Sequence, residues 1–147
     1  MPDILHRVGM QAPASKVYQA LSTLDGLSRW WIVGTTGDPK PGGIVHFVPE
    51  GGGFDMLVLE SKPEALVKWR CTGGPPEWIG TEVSFSLRAE SDGSTFVLFK
   101  HAGWREPVEF MHHCSTKWAV FLLSLKGWTE RAEGRPHPYD VKLHPGD

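Results

Sequence analysis

Apolar residues in the last third of the chain recur at gaps of three and four, the spacing that places side chains on one face of an α-helix. The pattern starts at Pro107, a residue that suits a first helical position, and Gly134 is predicted to end the helix in the left-handed conformation. We therefore predict one helix over residues 107–133, about 40 Å long. Its apolar stripe consists of Phe110, Met111, Cys114, Trp118, Phe121, Leu122, Leu125, Trp128 and Ala132.

Upstream of residue 44 the pattern is mixed. Residues 4–10 alternate in side-chain type and predict a first strand, and residues 14–21 and 24–31 carry short helical stripes. The second of these predicted helices ends in the pair Trp30 and Trp31. Residues 34–43 are rich in glycine, proline and threonine and predict a loop.

From residue 44 onward the period changes to two, which is typical of β-strands. Strands are predicted at residues 44–48, 54–61, 65–71, 81–88 and 95–101, and turns at 49–53, 62–64, 72–77 and 91–94. The last turn contains Asp92-Gly93, a strong hairpin signal. Short turns between successive strands indicate antiparallel pairing.

This order of elements predicts the α+β class: an antiparallel sheet of about six strands, two short helices after the first strand, and a long C-terminal helix. A twisted sheet of this size curls, and the long helix can lie in its concave face. Because a straight helix fits a curved sheet imperfectly, we expect a cavity between them.

Composition narrows the class of protein. The chain has 147 residues and a formal net charge of −2, and we expect one domain over residues 1–147. No cluster of lysine and arginine and no long apolar run occurs, which argues against nucleic acid and membrane as partners. Two cysteines provide no disulfide framework and favour the cytoplasm. Seven tryptophans are many for this length, and such residues often line cavities for apolar ligands.

Several short motifs are spread over nearly the whole chain. They are Val8-Gly9-Met10-Gln11-Ala12-Pro13, Val17-Tyr18-Gln19-Ala20-Leu21, Leu27-Ser28-Arg29-Trp30-Trp31, Gly42-Gly43, His101-Ala102-Gly103-Trp104, and residues 118–125 with Lys126 and Glu130. In these motifs the chain resembles the START-like, or SRPBCC, superfamily, and within it the branch named after the activator of Hsp90 ATPase. The resemblance implies the helix-grip fold with a deep, mostly apolar cavity. Members of the superfamily include lipid and hormone binders, cyclases and Hsp90 co-chaperones, and no catalytic signature of this branch carries over.

Fourteen residues are predicted to line the cavity. They are large apolar or sulfur-containing residues on inward positions, together with the polar residues nearest to them. Simple packing in the core is the alternative for the apolar residues, and for His101 the alternative is a hydrogen bond to the backbone at the strand end. The set is Trp30, Trp31, Phe47, Phe54, Met56, Trp69, Phe85, Phe99, His101, Met111, Cys114, Ser115, Trp118 and Leu122.

No metal site and no cofactor are predicted. Three consecutive residues, His112 to Cys114, point about 100° apart on a helix and cannot converge on one ion. His137 and His144 lie in the C-terminal tail and could approach, but no spacing marks them as ligands. The glycine-rich turns do not open a helix, so they do not predict a phosphate-binding loop.

Three functions fit these features. The first is binding of a small hydrophobic or aromatic molecule without catalysis. The second is a cyclase, dehydratase or hydrolase acting on an aromatic or polyketide-like substrate, for which His46, Arg70, Glu82 and His101 are the residues to inspect. The third is a co-chaperone of the Hsp90 type. A homodimer stays open, and the loop that carries Trp78 is either a lid or a dimer contact through this exposed aromatic residue.

Overall fold

The computed structural model describes residues 1–48 and 52–147, so most of the turn predicted at residues 49–53 lies outside the described residues. The predicted order of elements is confirmed. The elements are β1 (Ile4–Met10), α1 (Ala14–Ser22), α2 (Leu24–Trp30), β2 (Thr36–Gly37), β3 (Ile44–Phe47), β4 (Phe54–Lys62), β5 (Leu66–Gly73), β6 (Glu82–Ala89), β7 (Thr95–Ala102) and α3 (Glu109–Arg131).

The strands form one antiparallel sheet in the order β1-β7-β6-β5-β4-β3-β2. The α+β class is confirmed. The sheet has seven strands rather than the predicted six or so, and the additional strand, β2, lies inside the predicted loop at residues 34–43. This strand is only two residues long and pairs with His46 and Val45 of β3. Two residues are too few to produce a periodic signal.

Alternation along the strands builds the concave face of the sheet. In β5, for example, Val67, Trp69 and Cys71 are buried, whereas Lys68 and Arg70 point to the other face. The pairing of β4 with β5 contains two register shifts, and such irregularities bend a strand. The inward residues therefore line a curved surface that faces α3.

Helix α3 is shorter than predicted at both ends. It begins at Glu109 behind the extended residue Val108, and it ends where Ala132 adopts the left-handed conformation at φ 55°. The prediction that Gly134 is the left-handed stop is therefore wrong. Glycine is required at 134 for another reason, since a Cβ there would lie 2.1 Å from the carbonyl oxygen of Arg29. Among the described helices, none is long and apolar enough to cross a membrane.

Helix α3 also covers the outer edge of β1. The ammonium of Lys126 donates to the carbonyl of Gly9 at 2.6 Å, and the backbone N–H of Gln11 donates to Glu130 at 2.8 Å. A ring nitrogen of His6 lies 3.0 Å from the carbonyl oxygen of Ser115. These contacts occupy polar groups on the edge strand that would otherwise be free to pair with another chain, and they fix α3 over the sheet.

Candidate functional site

Aromatic rings fill the centre of the space between the sheet and α3. Trp31, at the end of α2, is the hub: its ring centroid lies 4.3 to 5.6 Å from the rings of Phe47, Trp118, Phe54 and Trp69. Its plane is within 3° of that of Trp69. Rings at these separations are in contact. The broad cavity that we expected under the middle of the helix is therefore occupied by the protein's own side chains.

A smaller pocket remains at one end of this cluster. Its volume is about 190 Å³. Its floor and walls are mainly aromatic, and its rim carries charged residues from α3 and the C-terminal tail. The lining residues are Trp31, Ile32, Phe54, Pro75, Trp78, Phe110, His113, Cys114, Lys117, Trp118, Phe121, His137, Asp140 and Asp147.

The loop between β5 and β6 supplies one wall of this pocket through Trp78. The Trp78 side chain is buried, and its indole N–H donates to the sulfur of Cys114 at 3.4 Å. The Thr81 hydroxyl donates to the carbonyl of Trp78 at 2.5 Å, and the guanidinium of Arg105 donates to the carbonyls of Pro76 and Ile79. The loop is therefore held at both ends. The prediction that Trp78 is an exposed dimer contact is wrong, because the ring faces the interior.

His101 connects this wall to α3 from behind the pocket. The Trp118 indole N–H donates to Nδ1 of His101 at 3.1 Å, which leaves the proton on Nε2. Nε2 then donates to the Thr81 hydroxyl oxygen at 2.8 Å. Burial lowers the pKa of His101 from 6.5 to about 3, against a small opposing effect of Asp3. The imidazole is therefore neutral at physiological pH, and it orients two indoles.

Cys114 presents a thiol to the pocket. Burial raises the pKa of the Cys114 thiol to about 12, although the hydrogen bond from Trp78 acts in the other direction. A thiolate is the nucleophilic form of cysteine, so a thiol held in this state is a poor nucleophile. Cys114 acts here as a small apolar wall residue.

A buried ion-pair network forms the polar rim. The ammonium of Lys117 lies 2.5 Å from Asp140 and 2.6 Å from Asp147, and Lys142 lies 3.1 Å from the second oxygen of Asp140. The side chain of Asp140 is fully buried. Burial alone would raise the pKa of Asp140, but the hydrogen bonds from Lys117 and Lys142 overcome it and hold the pKa below its usual value. The carboxylate is therefore charged and paired.

The C-terminal tail, residues 135–147, is pinned beside the pocket by its backbone. The N–H of His137 donates to the carbonyl of Trp31 at 2.7 Å, and the N–H of Val33 donates to the carbonyl of His137 at 3.2 Å. The N–H of Arg135 donates to the hydroxyl of Ser124 at 2.7 Å. These bonds place Asp140 over Lys117, so the tail and α3 form one side of the pocket together.

Four of the fourteen residues predicted to line a cavity border this pocket: Trp31, Phe54, Cys114 and Trp118. Met111 and Ser115 lie on a neighbouring side of α3, in a shallow groove against the start of β1. The other eight are buried in the core around the aromatic cluster. They are Trp30, Phe47, Met56, Trp69, Phe85, Phe99, His101 and Leu122.

The other residues singled out for inspection under the enzyme hypothesis do not border the pocket. His46 pairs with Asp55 at 2.7 Å, and Arg70 pairs with Glu82 at 3.1 Å across β5 and β6. Neither pair borders the pocket. Sequence reasoning missed the other ten lining residues, among them Phe121 and Lys117. Phe121 could have been found, because it follows Trp118 by three positions on the same helical stripe.

Comparison with known families assigns the class of protein. The model of the family described as "Activator of Hsp90 ATPase homolog 1-like protein" matches residues 11–130. The chain therefore belongs to this family, within the SRPBCC-type fold that the sequence resembled. A comparison with curated proteins found no match.

Three solved structures similar to this chain illustrate the likeness. It is similar to the Aha1 dimer from Colwellia psychrerythraea, with 45% identity, a TM-score of 0.84, and coverage of 91% of this chain and 100% of that one. Protein SSP2350 from Staphylococcus saprophyticus has 15% identity, a TM-score of 0.75, and coverage of 92% and 97%. CalU16 from Micromonospora echinospora has 22% identity, a TM-score of 0.68, and coverage of 82% and 71%. The last two likenesses concern the fold alone.

Proposed function

We propose that this protein binds a small aromatic molecule of one or two rings in the pocket beside Trp31 and Trp78. The observation that carries the proposal is the pocket itself, about 190 Å³ of space walled by Trp31, Phe54, Trp78, Trp118 and Phe121. Apolar pockets with a few polar groups at the rim are the usual form of a small-molecule site. An aromatic guest gains about 0.5 to 1.5 kcal/mol from each well-oriented ring contact beyond the area that it buries.

The volume of the pocket limits the size of the guest. Pockets for drug-sized ligands measure about 300 to 1,000 Å³, whereas an apolar cavity of about 150 Å³ accepts benzene. A volume of about 190 Å³ favours a single ring or a fused pair. A lipid chain or a polyketide-sized substrate would require the aromatic cluster around Trp31 to open.

Lys117, Asp140 and Cys114 support binding rather than catalysis. Lys117 and Asp140 are charged but already paired with each other, and the Cys114 thiol is held in its neutral form by burial. General acid or base catalysis needs a group that can exchange a proton near neutral pH. The rim residues instead offer hydrogen bonds to a polar substituent on the guest.

Calorimetric titration with indole and with naphthalene-2-ol tests the proposal. The informative variant is Phe121→Ala, which removes one wall of the pocket. Leu123→Ala is the matched control, because Leu123 lies two positions away on α3 and its residue is 59% exposed. We expect saturable binding that Phe121→Ala weakens and Leu123→Ala leaves unchanged. No saturable binding of either probe to the unmodified chain would refute the proposal.

We also propose a homodimer, because the Colwellia psychrerythraea relative with 45% identity is described as a dimer. Its contact surface would not include Trp78, whose ring is buried. Light scattering coupled to size exclusion measures the assembly state directly, and a monomeric mass at high concentration would exclude the dimer.

A reducing compartment such as the cytoplasm suits the chain, since Cys71 and Cys114 are both free and buried.

A second candidate function is action on an Hsp90-type chaperone. The family name and the Aha1 relative favour it. It requires an exposed docking surface, and the pocket plays no part in it. The ATPase rate of a bacterial Hsp90-type chaperone, measured with increasing amounts of this protein, tests the idea; an unchanged rate at saturating protein counts against it.

A further inference from the structure

Three metal-ligating side chains meet beside the tail, and the aromatic-ligand proposal uses none of them. His113 lies in the second turn of α3, and His144 and Asp147 lie in the C-terminal tail. One ligand atom from each of the three lies within 4.8 Å of the other two. The rings of His113 and His144 have centroids 5.6 Å apart. Two imidazoles and a carboxylate are therefore gathered from α3 and the tail, and the two histidines are 31 positions apart in the chain.

This donor set has a defined chemistry. Imidazole nitrogen with carboxylate oxygen suits zinc and its neighbours among the first-row divalent ions, whereas magnesium and calcium prefer oxygen ligands alone. Two histidines and one carboxylate can hold zinc with its fourth position open. Donors around a tetrahedral zinc are about 3.3 Å apart, given metal–ligand bonds of about 2.0 to 2.1 Å. The three groups need only small rotations to reach that distance, and the exposed residue His144 can supply them.

Neighbouring groups orient two of the three donors. One carboxylate oxygen of Asp147 accepts from Lys117 at 2.6 Å and from the backbone N–H of Leu143 at 2.8 Å. The other oxygen is left for a metal ion. The ring of His113 is stacked on Phe110, with planes 13° apart and centroids separated by 6.0 Å. Such outer contacts are a regular feature of metal sites, where they hold ligands in position.

One existing contact has to change when a metal binds. The N–H of Gly146 donates to Nδ1 of His144 at 3.1 Å. A metal ion on Nδ1 takes the lone pair that this bond uses, and a metal ion on Nε2 moves the ring proton to Nδ1. Either choice removes one hydrogen bond between exposed groups. That loss is small beside the coordination of a divalent ion.

We propose that His113, His144 and Asp147 form a binding site for a zinc-class divalent metal ion, which ties the C-terminal tail to α3 at the rim of the pocket. His113 and Asp147 both line the pocket, so the open coordination position lies near its mouth. The sequence prediction of no metal considered His112, His113 and Cys114 as one group. The structure instead combines His113 with residues of the tail.

Calorimetric titration of the untagged full chain with zinc chloride tests this proposal, with magnesium chloride titrated in parallel. The informative variants are His113→Gln and His144→Gln. His112→Gln is the matched control, because His112 is the adjacent histidine on α3, is exposed, and lies outside the cluster. The imidazole resonances of the histidines, followed by NMR during the titration, identify the ligands independently of the heat signal and of any effect of a variant on folding.

We expect one zinc ion per chain and no response to magnesium. His113→Gln and His144→Gln should each weaken zinc binding by at least about tenfold, while His112→Gln leaves it unchanged. The proposal is overturned if zinc does not bind, if only one of the two variants weakens binding, or if His112→Gln weakens it equally. None of these results depends on an aromatic guest, so this test and that of the proposed function fail separately.

Discussion

The indole N–H of Trp118 donates to Nδ1 of His101 at 3.1 Å. Both residues are buried, and neither is more than 2% exposed. Through Nε2 the same imidazole reaches Thr81, which in turn holds Trp78. One buried histidine thus joins the long helix to the loop that walls the pocket. The positions of the two indoles depend on this chain of hydrogen bonds.

Acid should destabilise the protein through His101. Its pKa in the folded state, about 3, is far below its unfolded value of 6.5, so between these values the unfolded chain binds more protons. The contribution is therefore complete above pH 6.5 and is lost as the pH falls toward 3, by about 1.4 kcal/mol of unfolding free energy per pH unit. Urea titrations at several pH values measure it. His101→Gln should show a shallower decline below pH 6.5; an identical slope in both proteins would contradict the argument.

Trp118→Phe should destabilise the fold even though an aromatic ring remains. The variant removes the N–H that reaches Nδ1 of His101 and leaves a buried acceptor without its partner, which costs about 1 to 3 kcal/mol. Chemical denaturation at pH 7.5 measures the change. Trp128→Phe is the control, because Trp128 lies on the same helix and is only partly buried. Equal losses of unfolding free energy in the two variants would mean that the hydrogen bond to His101 does not stabilise the fold measurably.

Asp140→Asn should loosen the tail. Asp140 is fully buried and pairs with Lys117 and Lys142, so its neutralisation leaves two ammonium groups without their shared carboxylate. We expect a loss of about 2 to 3 kcal/mol, below the upper range for buried pairs because Lys117 keeps Asp147. Thermal unfolding and limited proteolysis of the tail measure the effect. Asp25→Asn breaks an exposed pair with Arg29 and should change stability by less than about 1 kcal/mol.

Two substitutions near the end of α3 should change stability in opposite directions. Ala132 has φ 55°, a conformation that glycine adopts without strain, so Ala132→Gly should raise stability by about 0.5 to 1 kcal/mol. Gly134→Ala should lower it, because the new Cβ would meet the carbonyl oxygen of Arg29 at 2.1 Å. Thermal unfolding of both variants measures the signs. The same sign for both would contradict the assigned helix end.

Periodicity was sufficient to predict the fold because long elements repeat their pattern many times. The stripe from Cys114 to Leu125 and the alternation in β5 each specify their buried face without knowledge of any partner. Strand β2 was missed because its two residues are defined only by pairing with β3. The end of α3 was misplaced because glycine at 134 indicated a left-handed turn, whereas it provides space for a neighbouring backbone.

The candidate site was less predictable, for a physical reason. An inward aromatic residue has the same sequence signature whether it packs against another ring, as Trp69 does, or borders a pocket, as Phe54 does. The pocket is built from residues far apart in the chain: Lys117 and Asp140 of its rim are separated by 23 positions, and Trp78 and Cys114 of its wall by 36. No local pattern records such contacts.

The most direct test of a small-guest pocket is NMR mapping of the bound position with indole as the probe. We predict saturable shifts at the indole N–H of Trp78 and at the ring of Phe121, with little change at Trp69 and Phe85 in the filled centre. Shifts that concentrate on Trp69 and Phe85 would mean that the central cluster opens to admit the guest. Either that result or the absence of saturable shifts at the pocket would contradict this account.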